Sequence, residues 1–171
     1  IRVVSCRDPG KPVVLKSPPH LGRIEALAER FPGARFIHII RDPYSVFPST
    51  QRLWRSLDQV QGLQVPAHEG LDEYVYSCLE RMYSAFERQR PGLPEGSICD
   101  VLYEDLVADP LGAVLRIYEQ LGLGEIEPAR RDLEKYVESQ RDFKGNRYQL
   151  EESDRLEVNR RWGRFFEGYG Y

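Results

Sequence analysis

The run Phe36-Ile37-His38-Ile39-Ile40 ends in Arg41-Asp42-Pro43, and this junction constrains the fold more than any other stretch. An apolar, β-branched segment reads as a buried strand. Asp followed by Pro reads as the cap and first position of a helix. A strand feeding straight into a helix belongs to an α/β arrangement. It also places free N–H groups and the positive end of the helix dipole beside the Arg41 guanidinium, and the Ser49 hydroxyl follows eight residues on. Such a set suits a phosphate or sulfate oxyanion. The same residues also read as an arginine salt-bridged to Asp42 or Glu104 and a serine without a ligand.

Pro12-Val13-Val14-Leu15-Lys16 reads as a second short buried strand, and Ser17 to His20 as a turn. Leu21, Ile24, Leu27, Ala28 and Phe31 recur at a helical period until Pro32-Gly33. Strand, helix and strand at this spacing predict a βαβ unit with a parallel sheet and a right-handed crossover. Beyond Arg41, Pro48 either kinks the helix or starts a new one, and the pattern fades near Gly62 into a loop over 60–69. From Leu71 to Phe86 an apolar stripe predicts a core-packing helix. Ile98 to Tyr103 reads as a third strand. Asp109-Pro110 opens a helix closed by Gly122, Pro128 opens another to about Val137, and a last helix runs from about Ser153 past Trp162. No repeat or linker divides the 171 residues, so a single domain over 1–171 is expected.

Composition narrows the function. With 41% hydrophobic and 30% charged residues the chain is an ordered globular protein. Its net charge of −3 argues against broad nucleic-acid binding. Cys6, Cys78 and Cys99 lie far apart without metal-ligand spacing, so no metal is expected and a reducing compartment is. No segment has the length of a membrane span and no signal peptide is visible. The chain begins at Ile1, which suggests the C-terminal portion of a longer protein or a trimmed domain.

Besides Arg41 and Ser49, Lys16 and His20 stand at the end of the expected first strand, on the same sheet edge. A lysine there neutralises charge on a leaving phosphate, and a histidine there removes a proton from a hydroxyl. A surface lysine and a capping histidine fit the sequence as well. Glu104 and Asp105 read as partners that hold a cation in place. Arg141, Lys144, Gly145, Asn146 and Arg147 form a basic loop that either closes over a phosphate or is simply solvated.

Several segments in order resemble the sulfotransferase superfamily, in particular its bacterial and carbohydrate-type members. They are Leu15-Lys16-Ser17-Pro18-Pro19-His20, the stretch from Phe31-Pro32-Gly33 through Arg41-Asp42-Pro43, the Arg41-to-Ser49 spacing, Tyr103-Glu104-Asp105-Leu106 through Asp109-Pro110, and Arg161-Trp162-Gly163 with Gly168-Tyr169-Gly170-Tyr171. The resemblance implies a three-layer α/β sandwich with a parallel sheet, related to P-loop nucleotide-binding folds and incomplete at its N-terminus. It implies transfer of a sulfuryl group from 3′-phosphoadenosine-5′-phosphosulfate to an acceptor hydroxyl, without a metal. It implies that Arg41 and Ser49 hold the 3′-phosphate, that Lys144 and Gly145 cover it, that Lys16 lies near the 5′-phosphate, and that His20 is the base.

The family's Gly-rich 5′-phosphosulfate loop has no counterpart before Lys16, so the 171 residues alone are expected to be inactive. Two other functions stay open: a P-loop-type kinase, whose G-x-x-x-x-G-K-[ST] turn is not found, and a non-catalytic nucleotide-binding or interaction module of the same fold. The acceptor is a glycan, a lipid, a tyrosine or a small alcohol, and the loop near 60–70 is the expected specificity element. The resemblance implies a cytoplasmic location for a bacterial protein and the Golgi lumen for a eukaryotic one.

Overall fold

In a computed structural model, residues 10–141, 145, 146 and 148–171 are described. The elements are a 3-10 turn Pro18–Arg23, α1 Ile24–Arg30, β1 Phe36–Ile40, α2 Pro43–Gln61, α3 Leu71–Gln89, β2 Ile98–Leu102, α4 Tyr103–Ala108, α5 Pro110–Leu121, α6 Glu127–Ser139 and α7 Glu152–Tyr169. The two strands pair in parallel, with His38 opposite Asp100 and Ile40 opposite Leu102. Period-2 alternation then sorts the sheet into two faces. One face packs Ile40 and Leu102 against α2, α3 and α7, in a core of Phe47, Val75, Tyr76, Val158, Trp162 and Phe165. On the other, Cys99 and Val101 pack against Ile117 and Leu121 of α5. Helices on both faces of a parallel sheet make the expected three layers.

The larger core is aromatic. Phe47 stacks on Tyr76 at 4.5 Å between centroids, and Trp162 meets both rings edge-on. The indole N–H reaches the Tyr76 carbonyl, so the one polar atom of that ring is satisfied. The helix ends follow the sequence signals. Asp109 caps α5 by accepting from the Gly112 N–H, and Gly122, at φ 59, ends it in the left-handed conformation that a Cβ disfavours.

Two expectations are corrected. Pro12 to Lys16 is not a strand: residues 12–17 have no regular structure, and Val14 and Leu15 are 87% and 50% exposed. Pro12 has no N–H to give a ladder, and among the described residues no strand lies alongside to receive the rest. The parallel crossover therefore runs from β1 to β2 through α2 and α3, not from residue 12 to residue 40. Of the two readings of Pro48, the new helix is set aside, because α2 continues through it.

Candidate anion-binding site

The strand register builds the site. Ile40 and Leu102 are the last cross-strand pair, so Arg41 and Tyr103 leave the sheet side by side. The Arg41 guanidinium lies over the Tyr103 ring, 4.4 Å from its centroid. Among the described residues it has no carboxylate partner. The salt-bridge reading fails because both candidate acids are committed elsewhere. Glu104 accepts from the Asp42 N–H at 3.4 Å and from the Tyr171 hydroxyl at 2.6 Å. Burial, and then this bond to a carboxylate, push the Tyr171 phenol up. The Asp42 carboxylate accepts from the Tyr44 N–H at 2.9 Å and the Ser45 hydroxyl at 3.2 Å.

That cap overturns one part of the sequence reading. Pro43 has no N–H, Tyr44 donates to the Asp42 side chain, and the Ser45 and Val46 N–H groups donate to the Asp42 carbonyl. The start of α2 is filled by its own carboxylate and offers no free backbone donors to an anion. Any anion here has to be held by side chains.

Ser49 lies six residues into α2, about 9 Å along its axis, on the stripe that also carries Ser45. It is half-buried, and its hydroxyl has no partner among the described residues, whereas Thr50 donates to the Val46 carbonyl. Gly145 comes to the same place from the far end of the chain: a Cβ there would stand 4.0 Å from the Tyr103 hydroxyl. Lys144 and Arg147 lie outside the described residues, and Arg141 pairs with Glu138 at 2.8 Å. Sequence reasoning missed Arg155, an exposed cation 4.1 Å over the Tyr44 ring, and the use of Tyr103 as a ring rather than as part of an acidic motif. The register could have found Tyr103, because it occupies the same position after β2 that Arg41 occupies after β1. Nothing in the spacing marks Arg155.

Lys16 and His20 make no direct bond to this group: Lys16 is exposed, and no hydrogen bond or ion pair links either residue to Arg41 or Ser49 among the described residues. The turn that carries His20 is docked on α3, with the Gln89 side chain bonded to the Gly22 carbonyl and to the Glu25 N–H. The His20 Nδ1 is buried without a hydrogen-bond partner among the described residues. Among the described residues no group of His, Cys, Asp and Glu could hold a metal ion, and no helix is long and apolar enough to cross a membrane.

A sequence model of the sulfotransferase family matches residues 2–128. The omega-hydroxy-beta-dihydromenaquinone-9 sulfotransferases of Mycobacterium bovis and Mycobacterium tuberculosis are 42% identical over 161 residues, covering 94% of this chain and 42% of theirs. A sulfotransferase crystal structure from Mycobacterium avium superposes with a TM-score of 0.73 at 21% identity, over 91% of this chain and 41% of that one. The sulfotransferase domain of the curacin biosynthetic pathway gives 0.57 at 16% identity, over 96% and 65%. The chain thus spans about two-fifths of the length of the curated relatives it matches. The match over residues 2–128, with 42% identity along nearly all of the chain, places it in the sulfotransferase family.

Proposed function

We propose that this chain supplies the 3′-phosphate site of an enzyme that moves a sulfuryl group from 3′-phosphoadenosine-5′-phosphosulfate to an acceptor hydroxyl. The observation that carries the reading is the Arg41 guanidinium, half-buried at the carboxyl end of a parallel strand, over the Tyr103 ring and without a counter-ion among the described residues. A planar cation held in one orientation is matched to a phosphate's oxygens. Ser49 adds a free hydroxyl, and the loop at Lys144 and Gly145 covers the group. Lys16 lies toward the 5′-phosphate, and the orphaned imidazole of His20 takes the proton from the acceptor hydroxyl. The donor supplies the activated sulfur; the acceptor oxygen bonds to it as the bond to the 5′-phosphate oxygen breaks. The acceptor class we assign is a hydroxylated lipid, in line with the names of the 42% identical relatives. A kinase is disfavoured by the family match.

Titration calorimetry with adenosine 3′,5′-bisphosphate tests the site. Arg41→Ala removes charge-assisted hydrogen bonds of about 1.5–3 kcal/mol, so affinity should fall roughly 10- to 100-fold. Adenosine 5′-monophosphate, which lacks the 3′-phosphate, should bind the variant and the wild type alike. Equal bisphosphate affinity in both would refute the assignment.

A further inference from the structure

The far half of α2 and the loop after it turn an unusual surface to solvent. Leu53, Val60, Leu63 and Val65 are 54%, 84%, 102% and 97% exposed. Arg52 and Arg55 are exposed beside them, and between Arg52 and Ala67 the other exposed residues are uncharged. The one carboxylate of that stretch, Asp58, is drawn to His68 at 3.3 Å. His68 holds φ 56, a left-handed conformation that a side chain disfavours. The Asp58 contact clamps it, and the loop that lifts Leu63 and Val65 outward is fixed at its base. Along the chain the next exposed carboxylates are Glu69, Asp72 and Glu73, and Asp72 accepts from the Gln51 side chain at the near edge of the patch.

We propose that this corner docks on a membrane surface containing anionic phospholipid. The rings next to this corner, Trp54 and Tyr74, meet edge-on at the wall of a hollow shared with Asp58, His68 and Glu69, and the outward tips Leu53, Val60, Leu63 and Val65 are all aliphatic. They fit the acyl boundary of a bilayer, where burial removes them from water. Arg52 and Arg55 supply the complementary charge for the headgroups, and their stems pack along the apolar surface. The inference rests on the lipid-acceptor reading above, since a lipid alcohol is dissolved in such a bilayer. The patch runs from about 14 Å along α2 at Arg52 to about 27 Å at Gln61, measured from the helix start beside Arg41, so docking through its loop end leaves the charged nucleotide site in water.

The test is cosedimentation of the protein with phosphatidylcholine vesicles, with and without phosphatidylglycerol, alongside calorimetry with adenosine 3′,5′-bisphosphate. Wild type sediments with the mixed vesicles. Leu63→Asp with Val65→Asp lowers the partition at least about tenfold and leaves nucleotide affinity unchanged. Arg52→Glu with Arg55→Glu lowers it only where phosphatidylglycerol is present, and more so at low salt. The proposal is overturned if wild type stays in the supernatant or if Leu63→Asp with Val65→Asp sediments like wild type. It is equally overturned if the patch instead closes on a second copy, seen as a lipid-free dimer that Leu63→Asp with Val65→Asp makes monomeric. Arg41→Ala that binds the nucleotide like wild type sinks the donor site without altering the vesicle result, so the two failures are distinguishable.

Discussion

Asp100→Ala tests what holds the two strands in register. His38 is 7% exposed, and its Nδ1 lies 2.9 Å from Asp100 Oδ1 directly across the sheet. A carboxylate only accepts, so Nδ1 carries the hydrogen and Nε2, 3.1 Å from the Tyr83 hydroxyl, accepts in the neutral ring. The second Asp100 oxygen receives Arg90 at 2.6 Å. Burial raises the Asp100 pKa, but the bonds from His38 and Arg90 outweigh it and hold the carboxyl low. Removing the carboxylate leaves a buried imidazole donor unpaired, at about 1–3 kcal/mol. The Arg90 pair is about a third exposed on both sides and adds only about 0–1 kcal/mol. The expected loss is therefore about 1–4 kcal/mol, which in a chain of this size lowers Tm by roughly 2–16 °C. Asp100→Asn keeps an acceptor for His38 and should lose about half as much or less. Urea denaturation of both variants reads this directly. Equal losses in the two would show that the Asp100 charge, not an acceptor for His38, is what counts, and a loss below about 0.5 kcal/mol for Asp100→Ala would refute the reasoning.

Arg161 binds α7 to α3 through Glu80, at 2.5 and 3.0 Å, and Glu73, at 2.7 and 3.0 Å. Its hydrogen bond, followed by that of Ser77, holds the Glu73 carboxyl down to about 2. A depressed carboxyl stabilises the fold above the ordinary glutamate range, and its contribution is lost as the pH falls through about 2. In Arg161→Met the Glu73 midpoint, followed by NMR, should rise by more than about one pH unit; an unmoved midpoint would assign the shift to another cause. Phe47→Ala empties the centre of the larger core, where Phe47 is 1% exposed between Tyr76 and Trp162. It should lose about 3–5 kcal/mol of stability by denaturation, and a loss under about 1 kcal/mol would mean that the core collapses around the gap.

Local chemistry made much of this legible. The β1–α2 junction, the stripe of α3 and the cap and stop of α5 each announce themselves within a few residues, because each is a local choice of backbone. Pro12 to Lys16 misled because apolar β-branched residues describe a strand only when a partner and a cover are present, and the covering helix α5 reaches only the β2 half of its face. The same lack of cover leaves Ile37 and Ile39 47% and 50% exposed on β1. The helix start misled for a different reason: Asp42 was read as a cap and the N–H groups behind it as free, although a capping carboxylate consumes those donors. Tyr103 was hidden because its role depends on register between strands 62 residues apart in sequence.

Sequence alone cannot rank the arginines, yet their surroundings do. Arg161 belongs to one of the segments by which the chain resembles its family, and a reader of motifs would send an anion to it. Its charge is already neutralised by Glu73 and Glu80, so an incoming phosphate would have to displace carboxylates and meet their repulsion. Arg41 keeps company with an aromatic face, whose quadrupole attracts a cation by about 0.5–2 kcal/mol without neutralising it. The ring orients the guanidinium and leaves its full charge and its outward N–H donors to be used. Of the two, only Arg41 gains a counter-ion when an anion binds, and the proposed phosphate site at the end of β1 rests on that difference in electrostatic state.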